Sequence, residues 1–510
     1  MKILRLILGD QLNAQHSWLA RKNPEITYLL AEMRQETDYV RHHIQKVVAF
    51  FDAMRNFAAL LEEGGHKVIY LKIDDPENDQ ELSRILQRQI DKTRAEKLEY
   101  QLPDEYRLDQ QLGAICKGLG IPSEAFDTEH FYTGRYDLKE FSRNNNSLVM
   151  ENFYRLMRKK HSILLKNGEP AGGKWNFDAS NRKKWSGSPP VPPLSFPGKD
   201  VRPLFKAIQE TGIKTIGNID PENFIWPTSR KESLEVLNFF CSKLLRHFGD
   251  FQDAMHSRER FLFHSRLSFA MNAKMLSPAE VVETAISYFM EHPDEVEISQ
   301  IEGFVRQILG WREYMRGVYW MEMPEYSNLN KLENRNPLPE FYWTGNTRME
   351  CLKQTIGQSL DEAYAHHIQR LMVAGNFALL AQTDPAEVDQ WYLGIYIDAI
   401  EWVELPNTRG MSQFADGGIV GTKAYISSAN YINKMSNYCG DCYYSPTKKT
   451  GDGSCPFNTL YWNFLDAKKE HFKNNPRMSL MMSLLEKKGE KELDAIRERA
   501  RAIIQKPDQF

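Results

Sequence analysis

Short apolar runs at residues 3–8, 26–31, 67–73, 97–101 and 125–128 recur along the first quarter of the chain. Between them, apolar positions return at helical spacing, as over residues 39–61. Strand-length runs alternating with helical patterns predict an α/β unit with a mainly parallel sheet. Ligands of such sheets sit beyond the carboxyl ends of the strands, which places Asp10, Glu32 and Glu36 beside the expected crevice. Gly9-Asp10-Gln11 also suits a turn that caps the following helix. No GxGxxG is present, so a dinucleotide is not expected there.

From Glu151 the pattern changes. NFYRLMRKKH is basic and amphipathic, and residues 167–198 are crowded with Gly, Pro and Ser, which marks a surface linker. Trp175, Phe177 and Trp185 are too apolar to hang free, and Arg182, Lys183 and Lys184 form a basic knot suited to phosphates. The segment is therefore expected to lie across the second domain. After about Pro203 the pattern is almost wholly helical, with capping boxes at Ser229–Glu232 and at Ser277–Glu280, the latter with Pro278 at the first helical position. The predicted organisation is an α/β unit over residues 1–135, a linker over 136–201 and a helical domain over 202–510. The tail from Lys468, with Arg497, Arg499 and Arg501, reads as a solvated helix face.

Composition narrows the choices. At 510 residues the chain has room for two or three sizeable cores, and ten Trp with twenty-two Tyr give ample ring surface. A net charge of −3 excludes a uniformly basic nucleic-acid binder, so any DNA contact must come from a local patch. No apolar run approaches a membrane span, and the opening MKILRLILGDQL turns polar too quickly for a signal peptide. A cytoplasmic, monomeric protein is expected. Six cysteines in so long a chain argue against a disulfide framework and leave Cys116 and Cys241 as core thiols.

The other cysteines, Cys351, Cys439, Cys442 and Cys455, bracket the most aromatic and His-rich stretch. Cys439-Gly-Asp-Cys442 lets two thiolates reach one metal centre from a single turn, and Pro456 after the last cysteine resembles ferredoxin-type ligation. A tetrahedral zinc accepts the same ligands, so spacing alone does not separate zinc from a cubane cluster. Cys351 lies far upstream, unlike the ligands of a local zinc knuckle. His366 and His367 are adjacent, hence about 100° apart on a helix, which disfavours a shared metal. An imidazole titrating near neutrality suits proton donation.

GDQL at Gly9 to Leu12, GFVRQILGWREYMRG, FYWTG, AYAHHIQRLM, WVELPN, GMSQFADGG and these cysteines occur in order along the chain. On these blocks the sequence resembles the prokaryotic (6-4) photolyases of the iron-sulfur bacterial cryptochrome/photolyase family. The resemblance implies FAD, a 4Fe-4S cluster on Cys351, Cys439, Cys442 and Cys455, a 6,7-dimethyl-8-ribityllumazine antenna, damaged DNA as partner and light-driven repair. It implies flavin contacts from Ser265, Leu267 and Ser268, whose hydroxyls and free N–H groups suit the pyrophosphate, and from Gln307, Trp311, Arg312 and Tyr314 around the ring system. Arg370 would balance the reduced flavin, paired with Asp398, and Glu404 replaces the more usual Asn near N5. His367, with His366 beside it, would protonate the lesion, while Tyr425 and Tyr431 would hold the flipped base and Leu371 and Met411 line the pocket. Trp343, Trp391 and Tyr392, with Trp402 as a rival, would carry electrons, and Asp10, Glu36 and Tyr39 would face the antenna. The competing readings are a blue-light cryptochrome that signals and repairs little, and a primase-like iron-sulfur protein that binds nucleic acid.

Overall fold

A computed structural model describes residues 1–143, 148–194, 196 and 198–510. Five strands, β1 (Ile3–Leu6), β2 (Ile26–Ala31), β3 (Lys67–Leu71), β4 (Lys97–Gln101) and β5 (Ser123–Phe126), form one parallel sheet in the order β3-β2-β1-β4-β5. Ile3 stands opposite Ile26 on one side and Lys97 on the other. Leu4, Leu6, Leu29 and Leu98 fill one face, whereas Arg5 on the other pairs with Glu99 at 2.8 Å. The strand expected at 125–128 begins two residues earlier, because its register is set by pairing with β4 rather than by apolar content; Ser123, Glu124 and Ala125 are exposed.

The strand order reverses between β1 and β4, and there the turns after both strands meet the helical domain. Lys274, 1% exposed, places its ammonium 2.7 Å from Asp104 and 3.1 Å from Asp10. The helix expected from residue 39 starts at Ile44 and runs to Glu63, because the His43 ring accepts from the Gln45 N–H and closes the N-terminus there. The first turn of this helix is embedded in the helical domain: Ile44 N–H donates to the Ile216 carbonyl at 2.9 Å and the Lys46 ammonium to the Leu393 carbonyl at 2.7 Å.

The linker region is less irregular than its composition predicts. Asp137–Arg143 and Met150–Lys160 are helices, and Met150, Phe153, Tyr154 and Met157 bury an apolar stripe. A Cβ on Gly310 would lie 3.1 Å from the Met150 sulfur and 3.3 Å from the Tyr154 ring, so glycine there lets the two segments touch. Trp185 is buried against His256, and Trp175 lies under Arg158 at 5.1 Å. From Arg202 onward the described chain is helical. The capping box expected at Ser229–Glu232 is complete; at Ser277–Glu280 only half forms, the Ser277 hydroxyl accepting from Glu280 N–H while the Glu280 carboxylate is drawn away to pair with Arg230. Among the described residues no helix is long and apolar enough to cross a membrane.

Four helices in this domain contain a π-helical turn, and three of them surround one cavity: Arg306–Arg312, Gln369–Gly375 and Pro406–Ser412. A π turn inserts one residue into the helical ladder and re-aims the side chains beside it, a feature frequent at functional sites.

Candidate functional site

The cavity has a volume of about 830 Å³, within the roughly 300–1,000 Å³ range of cofactor and ligand sites. Ser265, Leu267 and Ser268 form one wall at the entry to the helix Ser268–Asn272. Next to them, Arg266 is 5% exposed and has a guanidinium nitrogen without a partner. Gln307, Trp311 and Arg312 line the cavity from the first π turn. Arg312 is itself anchored, donating to Asn272 at 2.5 Å and to the Met271 carbonyl at 3.3 Å, with its guanidinium over Trp402 at 4.7 Å. Burial brings its pKa down to about 10.

Arg370 is the central cation. It donates to the Ala365 carbonyl at 2.7 Å and to Asp398 at 2.9 Å, lies 3.8 Å from Glu404 and covers the Tyr396 ring at 3.8 Å. Glu404 accepts from the Thr408 hydroxyl at 2.6 Å; burial raises its pKa, and Arg370 opposes the rise. One cation thus faces two carboxylates, which leaves Arg370 charged and Glu404 prone to hold a proton.

The adjacent histidines part company. His366 is buried and stacks on His264, with ring centres 4.6 Å apart and planes at 16°. His367 presents its ring to the open cavity; its depth within the protein, and then the Arg370 charge, bring its pKa to about 4. Tyr425 and Tyr431 line the same cavity. The Tyr431 hydroxyl donates to Asp253 at 3.2 Å, and burial and then the Asp178 charge push Asp253 to about 6. Leu371 and Met411 complete this part of the lining.

Not every expected residue reaches the cavity. Tyr314 is fully buried outside the cavity lining: its hydroxyl donates to the Leu148 carbonyl at 3.3 Å and its ring meets Trp311 edge-on at 6.2 Å. Tyr392 lines the cavity, Trp391 lies one ring behind it, and Trp343 is 37% exposed without a ring contact to a described residue. Asn272, Asp253 and Arg306 line the cavity and escaped the sequence reading. Asn272 stands one helical turn after Ser268, a spacing that signals a shared face; Asp253 and Arg306 carry no such local mark.

Cys351, Cys439, Cys442 and Cys455 line a second, small cavity together with Tyr438, Tyr444 and Phe457. Cys351 and Cys455 are buried and the other two half-buried. Cys455 precedes the helix Pro456–Ala467, and the N–H groups of Phe457 and Asn458 face its sulfur. Among the described residues, no three His, Cys, Asp or Glu side chains are grouped as a single metal ion requires.

At the sheet edge the three expected antenna residues are near one another but already engaged. Asp10 pairs with Lys274, Glu36 holds Arg107 at 2.7 Å, and Arg107 in turn covers the Tyr39 ring at 4.4 Å. Glu32, also expected at the crevice, is closed off by Arg55, Tyr70 and the Ile73 N–H. Beside this group His42 is buried with both ring nitrogens unpaired, and burial, then the Glu401 charge, push Glu105 to about 8.

The model of the family described as deoxyribodipyrimidine photo-lyase-related protein matches residues 5–224. A (6-4) photolyase from Agrobacterium fabrum is 40% identical over 511 aligned residues, covering 100% of both chains. An uncharacterized protein of Acanthamoeba polyphaga mimivirus is 36% identical over 109 residues, 21% of this chain and 81% of its own length. Among solved structures, a bacterial class III photolyase from Agrobacterium tumefaciens aligns with a TM-score of 0.58 at 16% identity, covering 99% of this chain and 98% of its own. A cryptochrome from Synechocystis aligns with a TM-score of 0.56 at 14% identity, over 98% and 99%. The two structures share this fold, and since 40% identity to the Agrobacterium fabrum protein runs from end to end, the chain belongs to the (6-4) photolyase family.

Proposed function

We propose that the chain repairs (6-4) pyrimidine photoproducts in DNA with light, using FAD in the large cavity. The observation that carries this reading is that His367, Tyr425 and Tyr431 share one cavity with the Arg370, Asp398 and Glu404 charge cluster. FAD fits the donor set. The unpartnered, buried Arg266 guanidinium and the Ser265 and Ser268 hydroxyls suit its pyrophosphate, and Arg370 suits the electron-rich edge of its ring system. When bound, the flavin supplies the light-excited electron.

The protein's own groups do the rest. A damaged pair of bases leaves the duplex and enters the cavity, where Tyr425 and Tyr431 hydrogen-bond its polar edges. His367 faces the incoming group and is neutral at pH 7 beside Arg370; the anionic backbone of the substrate offsets the Arg370 field and favours proton uptake at the ring. His367 then passes that proton to the reduced lesion and excludes slower protonation by water. Glu404 and Asp398 keep Arg370 fixed, so the cation does not swing toward the substrate.

The same reading assigns the four cysteines to a 4Fe-4S cluster. What supports it is that the four thiols share one cavity although Cys351 lies far upstream of the other three, unlike the ligands of a local zinc knuckle. The crevice near Asp10, Glu36 and Tyr39 is assigned to a lumazine antenna, with the unpaired nitrogens of His42 as additional hydrogen-bonding groups. The α/β unit over residues 1–135 thereby serves the antenna and the helical domain serves repair. The test is illumination of the reduced protein with an oligonucleotide carrying one (6-4) adduct, alongside one carrying a cyclobutane dimer. Restoration of the first and not the second is expected; loss of neither under light removes the repair reading in favour of a photoreceptor.

A further inference from the structure

Past Phe472 the chain runs along the rim of the large cavity. Phe472 is fully buried against Phe414 and Phe464, with ring centres 6.0 and 5.9 Å away, and Met478 is buried too. Between these two anchors the Asn475 side chain donates to the Thr422 carbonyl at 3.2 Å, which ties the segment to the loop that carries Lys423 and Tyr425. Arg477 is exposed, lines the cavity and therefore stands at its mouth. Its charge reaches the Tyr425 phenol: burial raises the pKa of that phenol and Arg477 opposes the rise.

The helix Ser479–Glu486 follows at once. Met478 and Leu485 hold its inner side in the core, whereas Leu480 is 66% exposed and Leu484, one turn further, 44%. Leu480 is the most exposed leucine among the described residues, and the two form the only pair of exposed large apolar side chains one helical turn apart. Lys487 continues the same face three residues on, and Arg477 precedes it by three, so an apolar stripe has a cation at each end. Lys473 and Lys488 nearby are paired with Glu470 and Glu492, but Arg477 and Lys487 form no ion pair among the described residues.

A single exposed leucine is ordinary, but this pair sits where the substrate of the proposed reaction has to part. When a damaged pair of bases leaves the duplex, the base pairs on either side of the gap lose their stacking partners. An apolar side chain pushed into such a gap restores part of the contact, as Leu, Ile, Phe and Met wedges do between base steps elsewhere. A wedge has to stand at the mouth that takes in the bases, project into solvent beforehand, rest on a rigid base and have cations beside it for the phosphates. Leu480 meets all four conditions. We infer that Leu480 enters the duplex at the position the lesion vacates, with Leu484 behind it along the sugar edges and Arg477 and Lys487 on flanking phosphates. Leu480 to Lys487 spans about 10 Å of helix, which sets Lys487 roughly three base steps from the gap. The inference rests on the reading of the substrate made above, an adduct extruded from duplex DNA, and needs no cofactor.

The whole protein is titrated in the dark with a duplex carrying one (6-4) adduct, with the same adduct in a single strand, and with undamaged duplex. Leu480→Ala is expected to weaken binding of the damaged duplex about tenfold, the scale of a leucine side chain lost from an apolar contact, and to change the single strand by less than about twofold, since a single strand has no stack to fill. Leu480→Met, which keeps an apolar wedge, is expected to retain most of the duplex affinity. Lys487→Ala leaves the apolar stripe whole and is expected to lower the salt slope on damaged duplex by about one unit. Unchanged duplex affinity in Leu480→Ala overturns the inference, as do equal losses on duplex and single strand, or an unchanged slope in Lys487→Ala. Self-association of the wild type that Leu480→Ala abolishes, seen by sedimentation, would assign the stripe to a second copy of the chain and overturn it as well. Wild-type protein that binds damaged and undamaged duplex alike removes the repair reading and the inference together.

Discussion

His367 and His366 are chemically the same and consecutive and both line the cavity, yet His367 is exposed there whereas His366 is buried and lies flat on His264. The difference assigns them different work. His367→Ala is expected to retain flavin and affinity for damaged DNA while repair per absorbed photon falls by about 10²- to 10⁴-fold, the usual contribution of one general acid. Quantum yield at saturating DNA on a single (6-4) adduct checks this, and a near-normal yield would leave His367 as a binding group only. Glu105 offers a different kind of test. Burial raises its pKa to about 8, above the ordinary 4.5 for an unfolded carboxyl, so between those values the folded protein holds more protons than the unfolded chain. This contribution to stability is complete below pH 4.5 and is lost as pH rises through about 8. The melting temperature of Glu105→Gln should therefore fall less between pH 5 and 8 than that of the wild type, as a buffer series in differential scanning fluorimetry would show. The histidine pair and the four cysteines stood out in the sequence because such residues are rare and were clustered. His264 as the stacking partner did not, because the pairing joins segments about a hundred residues apart through tertiary structure alone.

At the level of elements, strands and capped helix starts were readable because local chemistry determines them. Ser229 with Glu232, and Ser277 with Pro278 and Glu280, cap their helices without help from distant residues. Two boundaries moved for the opposite reason. Helix Ile44–Glu63 starts where a His43 ring nitrogen happens to cap it, and β5 starts where β4 offers partners. The π turns were invisible, since one additional residue hardly alters a hydrophobic period that already scatters. Gly375 lies at the end of one of them, between the segments that carry Arg370 and Ser412. A Cβ there would press on the Ser412 hydroxyl, meet the Arg370 carbonyl at 2.7 Å and approach the Tyr392 hydroxyl at 3.1 Å. Gly375→Ala should thus cost about 1–3 kcal/mol by overpacking and release flavin more readily. Urea unfolding and flavin fluorescence report the two effects separately; full flavin retention with unchanged stability would mean the two segments can part without consequence.

For the molecule as a whole, the surface charges near the cavity decide how DNA is met. The basic knot that stood out in the sequence is largely committed: Arg182 pairs with Asp178, and Lys183 holds Asp250 at 2.8 Å. Arg477 and Lys423 line the cavity and form no ion pair among the described residues. Charge removal at either Arg477 or Lys423 should flatten the salt dependence of damaged-duplex binding by about one unit per lost phosphate contact, with Lys183→Ala having less effect. Binding titrations from low to physiological salt measure these slopes, and equal slopes for Lys183→Ala and Arg477→Ala would return the knot to the DNA. Composition identified a local patch on a protein of net charge −3, but not which cations were free, because ion pairs such as Lys183–Asp250 join residues far apart in the chain.

Three π turns around one cavity also bear on how such a site can change over generations. Each turn contains one residue that a regular helix would not, and removing it would rotate everything downstream by about 100°. Trp311 and Arg312, or Met411 and Ser412, would then be carried off the cavity with their identities intact. No substitution produces that rotation; it takes the loss of a codon, within helices whose other faces are packed and would be turned out of register at the same stroke. The aim of these side chains is thus held by the length of three short segments, and a family built this way can vary its wall residues one at a time while the frame that points them inward stays fixed.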